Sequence, residues 1–408
     1  MVSLTQAPAT TPSGAPVAGS TAHSDGAFVP VQTRSDRPWS YAVADFPVPT
    51  GREVNWKHVP VARLGTIFQD EESDAGALTY DVDAPAGIIV DSTGWDAPVR
   101  GEVFRPEDRA SAIAWTRSAD ALHLRVPAGR ELEDPIRVRI EGSGAGRKGT
   151  AHLIIEAMPQ SVATVILEHT GSADFAQNVE IVVRDGAHLT VITVQDWADD
   201  AVHASAHQAR VDRDANLRHI VVSLGGGVAR INPSVELAGT GSSGDLFGLS
   251  FADAGQHLES QVYLHHKGAE TRGNVLYKGA LQGESARSVW IGDVLIGPNA
   301  TGTDSYEANR NLVLTDGARA ESIPNLEIET GDIRGAGHAS ATGRFDDEQL
   351  FYLQSRGISE SEARRLVVRG FLAEIVQRIG VTELEDRINL AIERELLASE
   401  HLVAGASS

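Results

Sequence analysis

The chain has 408 residues and a formal net charge of −21, and it contains 40 glycines but no cysteine. Such an acidic surface argues against nucleic-acid and membrane partners, because binding to phosphate backbones or anionic lipid needs lysine and arginine to replace counterions. The lack of cysteine excludes disulfides, thiolate catalysis and metal sites made of cysteine alone.

The N-terminal part of the chain divides into two predicted regions. Residues 1–44 are rich in Ala, Pro, Thr, Ser and Gly, which predicts a disordered segment. We recognise neither a signal peptide nor an apolar run near the ~18 residues of a membrane span, so we expect a cytoplasmic protein. Residues 45–135 carry scattered apolar side chains between turn residues, which predicts a small, partly helical N-terminal region.

The central region, residues 136–340, contains short runs of β-branched residues bounded by Gly, Asp and Pro, a pattern typical of strands. A turn followed by a strand recurs near Pro159, Arg184, Arg213, Gly244 and Arg272, at a spacing of roughly 25 to 31 residues. Repeats of this length without helices predict strands that coil into stacked turns, each of which buries its apolar side on its neighbours. The alternative left open by this pattern is a β-sandwich.

Residues 341–408 change to a helical pattern. Asp346 is the expected N-cap of a first helix that ends at Arg356, and Gly357 fits the left-handed position after it. Capping boxes at 359–362 (SESE) and 382–385 (TELE) predict two further helices, with apolar residues recurring about every four positions behind them. A tail of ~60 residues can hardly form a full core alone, so its apolar faces should pack on the β region, on a partner or on both.

Two histidine pairs are candidate metal sites. His203 and His207 have a spacing that would suit metal ligands on a helix, but their acidic surroundings indicate a solvated loop instead. His265 and His266 should point to opposite faces of a strand, so we do not expect them to bind one metal ion.

The glycine run 225–227 is a third candidate, for phosphate binding. No Lys-Ser/Thr pair follows it and no helix is predicted to begin there, so it indicates a turn.

Three segments resemble the SufB/SufD family of iron–sulfur cluster assembly proteins. Residues 50–57 (TGREVNWK) are similar to a segment near the start of SufD proteins, and residues 306–314 (YEANRNLVL) to another stretch of that group. Residues 337–344 (GHASATGR) and 350–358 (LFYLQSRGI) resemble the C-terminal signature of the family. The resemblance covers about residues 45–395 and implies a right-handed parallel β-helix with helical ends, in agreement with the coiled strands inferred from the repeat.

The same segments favour the SufD branch. SufB members carry a Cys in the stretch that matches residues 308–312 and a Glu directly after the histidine that matches His338, whereas this chain has Asn309 and Ala339. Some SufD members have a Cys two residues before that histidine, where this chain has Ala336. The resemblance implies a non-catalytic scaffold subunit that binds no cofactor stably by itself.

Partners and functional residues follow from the resemblance. It places His338 near the interface with a SufB-like subunit, where a neutral imidazole is a competent iron ligand for a transient iron–sulfur cluster shared with SufB. It also implies that the tail docks a SufC-like ATPase, and it leaves open a homodimer when SufB is absent. The residues expected at the SufC contact are Leu350, Phe351, Tyr352, Leu353, Arg356, Arg364, Arg365, Arg369 and Phe371.

The main alternative function is a β-helix enzyme that acts on polysaccharides. Such enzymes are usually secreted and present carboxylates with Arg or Lys in a groove along the helix. The lack of a recognisable signal peptide and the specific C-terminal signature favour the scaffold.

Overall fold

The computed structural model describes residues 37–345 and 347–406, so Asp346 and most of the predicted disordered segment lie outside the described residues. The strands are β1 (Leu78–Asp83), β2 (Ile89–Thr93), β3 (Ala121–Val126), β4 (Ile136–Ala157), β5 (Val162–Val183), β6 (His188–Trp197), β7 (Val202–Val211), β8 (Asn216–Ser223), β9 (Val228–Leu237), β10 (Ser243–Ala252), β11 (His257–His266), β12 (Arg272–Leu281), β13 (Arg287–Ile296), β14 (Thr303–Val313), β15 (Arg319–Ile328) and β16 (Ile333–Arg344). The α-helices are α1 (Arg109–Arg117), α2 (Asp347–Ser355), α3 (Glu360–Val376) and α4 (Thr382–Ala406), and 3₁₀ turns occur at Val43–Asp45 and Val61–Leu64.

The central strands form a parallel solenoid of about eight turns, which confirms the predicted parallel β-helix. β5 is long enough to pair with β6 through its first half and with β7 through its second half. One ladder continues through β8, β10, β12, β14 and β16, and the other through β9, β11, β13 and β15. All of these pairs are parallel, so the alternative of a β-sandwich, which is built from antiparallel sheets, is wrong.

The sequence repeat corresponds to one coil of the solenoid. Val162 pairs with His188, so the first of these coils takes 26 residues. Arg272 pairs with Asp304 near the other end, where one coil takes 32 residues. Successive coils therefore stack equivalent positions above one another, and the inward-facing aliphatic residues form one continuous core.

A left-handed residue recurs at one corner of the coils. Gln160 and Gly186 have φ of 60° and 66°. The Gln160 N–H donates to the Asp185 carbonyl at 3.1 Å, and the Gly186 N–H donates to the Arg213 carbonyl at 2.9 Å. Each corner is thus bonded to the next coil, which satisfies backbone groups that the strand ladders leave free.

The N-terminal region packs along the side of the solenoid. The Arg230 guanidinium on β9 lies 4.2 Å from the ring centroid of Trp56, and its Nε donates to Glu259 Oε1 on β11 at 2.9 Å. Arg230 also donates to the Asn55 carbonyl at 3.1 Å. The segment 50–57 noted in the sequence therefore has a structural role, because its tryptophan covers a buried ion pair.

Residues 37–44, which composition assigned to the disordered segment, contact this same side of the solenoid. The Arg37 guanidinium lies 4.1 Å from the ring centroid of Tyr263 on β11. The Tyr41 hydroxyl donates to the Phe104 carbonyl at 3.0 Å. Composition alone missed these contacts because the aromatic and charged side chains that make them are few within a polar stretch.

Helices α3 and α4 lie against the outer face of the ladder that contains β8, β10 and β12, and α2 contacts α3. Leu372 and Ile388 belong to one buried cluster with Ile220 and Phe247, so the tail packs on the β region as one of the predicted possibilities. Lys278 Nζ donates to the Phe371 carbonyl at 2.9 Å and strengthens this attachment.

Two of the three helix boundaries agree with their predicted signals. Gly357, with φ of 86°, follows α2, and the Ser359 hydroxyl accepts the Glu362 N–H at the start of α3. Thr382 is the first residue of α4 and not its cap; here Glu385 Oε1 accepts the Gly380 N–H at 2.9 Å. Among the described residues, no helix is long and apolar enough to cross a membrane.

Candidate functional site

The C-terminal end of the solenoid is open. β15 and β16 are the last members of the two ladders, and no described strand pairs with their outer edges. Most of their residues are exposed or half-buried, whereas the preceding strands are mostly buried. An uncovered edge of this kind presents unpaired N–H and C=O groups to which another strand can add.

His338 lies on β16 at this open end. Its parallel neighbour on the previous coil is Glu307 of β14. The His338 Nδ1 atom is 3.8 Å from Glu307 Oε1, and 46 % of the His338 side chain is exposed. The sequence-selected histidine therefore stands at the mouth of the solenoid interior, with a carboxyl group directly behind it.

Glu307 was not selected from the sequence. Only 1 % of its side chain is exposed, and neither carboxyl oxygen accepts a hydrogen bond of normal geometry. Burial raises the pKa of Glu307 to about 8; the Asp293 carboxylate adds to this increase, and the Asn325 backbone N–H opposes it. A strongly perturbed buried acid next to an exposed imidazole is a common feature of functional sites.

The carboxyl group of Glu307 fits because a glycine stands beside it on the other ladder. A Cβ atom added to Gly292 would lie 2.4 Å from Glu307 Oε2 and 2.3 Å from Trp290 Cη2. No alanine or larger residue can occupy position 292 without moving one of these groups. The signal for Glu307 in the sequence was weak, because nothing near it in the chain reveals that Gly292 makes room for it.

The positions that separate the SufB and SufD branches have structural partners here. Asn309 Nδ2 donates to the Tyr277 carbonyl at 3.2 Å, and Asn311 Nδ2 donates to Asn309 Oδ1 at 2.7 Å. Ala336 and Ala339 on β16 add no polar group. The described residues contain no group of three or more His, Asp or Glu side chains arranged to hold a metal ion.

The prediction of a solvated loop at His203 and His207 is wrong. Both histidines are buried on β7 and point into the solenoid. The acidic turn ends before Ala201, and from Val202 onward the alternation of the strand directs every second side chain inward.

These two histidines belong to a buried polar network. His207 Nδ1 lies 2.9 Å from His219 Nε2, and His207 Nε2 lies 2.9 Å from the Ser205 hydroxyl. His169 Nδ1 donates to the Val194 carbonyl at 3.1 Å. Burial lowers the pKa of His169 and of His219 to about 4, so these imidazoles are neutral at pH 7.

His265 and His266 occupy opposite faces of β11, as predicted. His266 is fully buried and lies 2.9 Å from the Thr271 hydroxyl, whereas the His265 ring packs against Tyr263. Residues 225–227 lie between β8 and β9 and begin no helix.

The nine residues predicted to contact SufC lie in different environments. Phe351 and Tyr352 on α2 are 73 % and 56 % exposed. Leu350 is buried, and the Phe371 ring packs against the tail cluster with Lys278 Nζ 4.9 Å from its centroid. Leu353 is half-buried.

Most of the tail arginines have acidic partners on the tail itself. Arg364 pairs with Glu360 at 2.9 Å, and Arg369 pairs with Glu393 at 3.3 Å. Arg365 pairs with Glu362. The Arg356 guanidinium, directly after α2, lies 4.6 Å from the ring centroid of the exposed Tyr352.

Comparison with known proteins identifies the group to which this architecture belongs. Residues 139–371 match the family described as SUF system FeS cluster assembly, SufBD core domain. An iron–sulfur cluster assembly SufBD family protein of Mycobacterium tuberculosis (strain ATCC 25618 / H37Rv) is 48 % identical over 367 residues, which cover 88 % of this chain and 92 % of the relative. A SufBD family protein of Mycobacterium leprae (strain TN) is 46 % identical over 367 residues, covering 88 % and 94 %. The iron–sulfur cluster assembly protein SufD of Escherichia coli (strain K12) is 25 % identical over 381 residues, covering 86 % and 89 %.

The fold and its open end define a parallel β-solenoid with a helical tail packed along one side. The match extends over more than half of the chain, and the mycobacterial relatives align over most of their length. The chain belongs to the SufBD family of iron–sulfur cluster assembly proteins.

Proposed function

We propose that this chain is a SufD-type scaffold subunit that pairs with a SufB-like subunit and docks a SufC-like ATPase in the cytoplasm. It carries out no catalytic step by itself and holds no cofactor stably. Its contribution is one side of a shared assembly site, where His338 binds iron of a transient cluster. The cluster is the cargo of the complex.

The observation that carries this proposal is the open end of the solenoid with His338 exposed on its last strand. A SufB-like solenoid that adds its own strands to β15 and β16 would cover both edges and enclose His338 at the junction. Because the chain has no cysteine, any thiolate ligand at that junction comes from the partner. In the absence of SufB, a second copy of this chain can use the same edges to form a homodimer.

The tail supplies the proposed contact with the ATPase. Phe351 and Tyr352 form an exposed aromatic pair on α2, which suits a helix-in-groove contact. The helices that follow are fixed to the solenoid by the Leu372 cluster and by Lys278, which pairs with Glu374 at 2.7 Å. Nucleotide-driven closure of the ATPase would therefore pull on the solenoid as a rigid lever and open its junction with SufB.

Co-expression with SufB and SufC, followed by a pull-down through this chain, tests the partner assignment. Both subunits should be recovered in stable proportion. Recovery of neither subunit, with this chain folded and monomeric by gel filtration, contradicts the proposal.

The role of His338 is tested with His338→Ala in the reconstituted complex. The complex should assemble normally, whereas the yield of iron–sulfur cluster, followed by its visible absorption, should decrease. His188→Ala changes an exposed histidine on β6, far along the ladder from the open end, and serves as the control. A normal cluster yield with His338→Ala rules out the proposed role of this histidine.

The tail contact is tested by the double variant Phe351→Ala/Tyr352→Ala. It should lose SufC in the pull-down and keep SufB, because the solenoid end is unchanged. Leu390→Ala removes a similarly exposed apolar residue from α4 and should keep both partners. If the double variant retains SufC, the contact lies elsewhere on the tail.

A further inference from the structure

We propose that Glu307 is a second iron ligand, which together with His338 forms a two-residue site for a divalent iron ion at the open end of the solenoid. The inference rests on the proposed function, since it adds a ligand to the iron site proposed for His338. It also gives a role to the buried carboxyl group of Glu307, which the packing of the solenoid alone does not explain.

The first argument is the distance between the two donor atoms. Glu307 and His338 are direct neighbours across the β14–β16 ladder, with 3.8 Å between Oε1 and Nδ1. First-row divalent metals bind carboxylate oxygen and imidazole nitrogen at ~2.1 Å, so one ion can hold two donors that are up to ~4.2 Å apart. The observed separation therefore allows one ion to bind both atoms, and both ligand types suit iron.

The second argument is the unsatisfied carboxyl group. Glu307 is buried, and neither of its oxygens has a hydrogen bond of normal geometry. A buried carboxylate without a hydrogen bond of normal geometry is costly to the fold, and either protonation or coordination of a metal ion compensates it. The nearby carboxylate of Asp293 differs in this respect, because it accepts a hydrogen bond from Asn325 Nδ2 at 2.9 Å.

The third argument is that Gly292 keeps the carboxyl group in place. The missing side chain at this position leaves the slot beside Trp290 that Glu307 occupies. The ladder fixes the backbone of both ligands, and His338 is the more exposed of the two. The pair is therefore built from a rigid buried donor and a solvent-facing donor.

Two ligands leave the coordination of the ion incomplete, and no third His, Asp or Glu of the described residues joins them. The remaining positions face outward through the open end, where a partner can add thiolate. The free chain therefore binds the ion weakly, and the site becomes complete on assembly.

The test is Co(II) binding to the purified full-length chain, measured by isothermal titration calorimetry. Co(II) is stable in air and accepts the same nitrogen and oxygen ligands. Glu307→Gln, which keeps the shape of the side chain, and His338→Ala should each weaken binding at least tenfold. Asp304→Asn removes an exposed carboxylate from the same strand and should bind as the wild type does.

The double variant Glu307→Gln/His338→Ala provides a second measurement. If both residues hold one ion, the wild type binds one equivalent of Co(II) and the double variant binds none. Two equivalents in the wild type, of which each single variant loses one, indicate two separate sites and overturn the proposal. Glu307→Ala, checked by circular dichroism, replaces Glu307→Gln if the latter does not fold.

The outcomes separate this inference from the proposed function. If Glu307→Gln binds Co(II) as the wild type does and His338→Ala does not, the second ligand is wrong while the role of His338 stands. If both variants lose Co(II) but the complex with His338→Ala still assembles clusters normally, the metal pair stands and the proposed function of His338 fails.

Discussion

Acidification should destabilise the solenoid through its interior histidines, and His219 allows the effect to be measured for one residue. His219 is fully buried on β8 with His207 as its hydrogen-bond partner. Burial lowers its pKa from 6.5 to about 4 in the folded chain. Between these two values the unfolded chain binds a proton that the folded chain does not, so the free energy of unfolding decreases as the pH falls below 6.5.

The magnitude follows from the difference between the two pKa values. At about pH 5 the solution is about 1.5 units below the unfolded-state pKa, and each unit corresponds to about 1.4 kcal/mol, so His219 contributes a loss of about 2 kcal/mol. His169, with a pKa of about 4 for the same reason, contributes a similar amount. Well above pH 6.5 both histidines are neutral in the folded and in the unfolded chain, so they add nothing to the pH dependence of the free energy of unfolding.

Urea unfolding followed by circular dichroism at about pH 7.5 and about pH 5 measures this loss. Glu307 acts in the opposite sense, because a raised carboxyl pKa favours the folded chain as the pH falls. The contribution of one histidine is therefore obtained by comparing the pH-dependent change in the free energy of unfolding between a variant and the wild type. His219→Leu should reduce the pH-dependent loss by about 2 kcal/mol relative to the wild type. The same pH dependence in His219→Leu and in the wild type would refute the reasoning.

Three further predictions concern the contacts that hold the fold together. Arg230→Met should lower the free energy of unfolding by about 3 to 5 kcal/mol in urea titrations, because Glu259 would remain buried without its guanidinium partner; a loss below 1 kcal/mol would contradict this. Gly292→Ala should cost about 1 to 3 kcal/mol through its close contact with Trp290, measured by thermal unfolding, and it should also weaken Co(II) binding; unchanged Co(II) affinity would argue against the Glu307 slot. Leu372→Ala should cost about 2 to 5 kcal/mol and expose the tail to limited proteolysis before the solenoid is cut; simultaneous cleavage of both parts would show that the tail does not detach separately.

The sequence was informative wherever neighbouring residues determine the structure. The repeat of turn and strand predicted coils of the observed length, since each coil needs a corner residue and an inward aliphatic side at the same positions. The stops and apolar stripes of the tail predicted its helices for the same reason: a helix face is encoded by residues three and four apart. His338 was selected only because its flanking residues resemble a family signature.

Tertiary structure determined what lies around those residues. The inward direction of His203 and His207 depended on where β7 begins, and two aspartates before it suggested solvent instead. The space for the Glu307 carboxyl group depends on Gly292, which is on a different ladder. The position of Glu307 behind His338 depends on the stacking of coils, which places residues 31 positions apart side by side. Contacts between coils are long-range in sequence, so local patterns carry no record of them, whereas the coil itself is local and could be predicted from the chain alone.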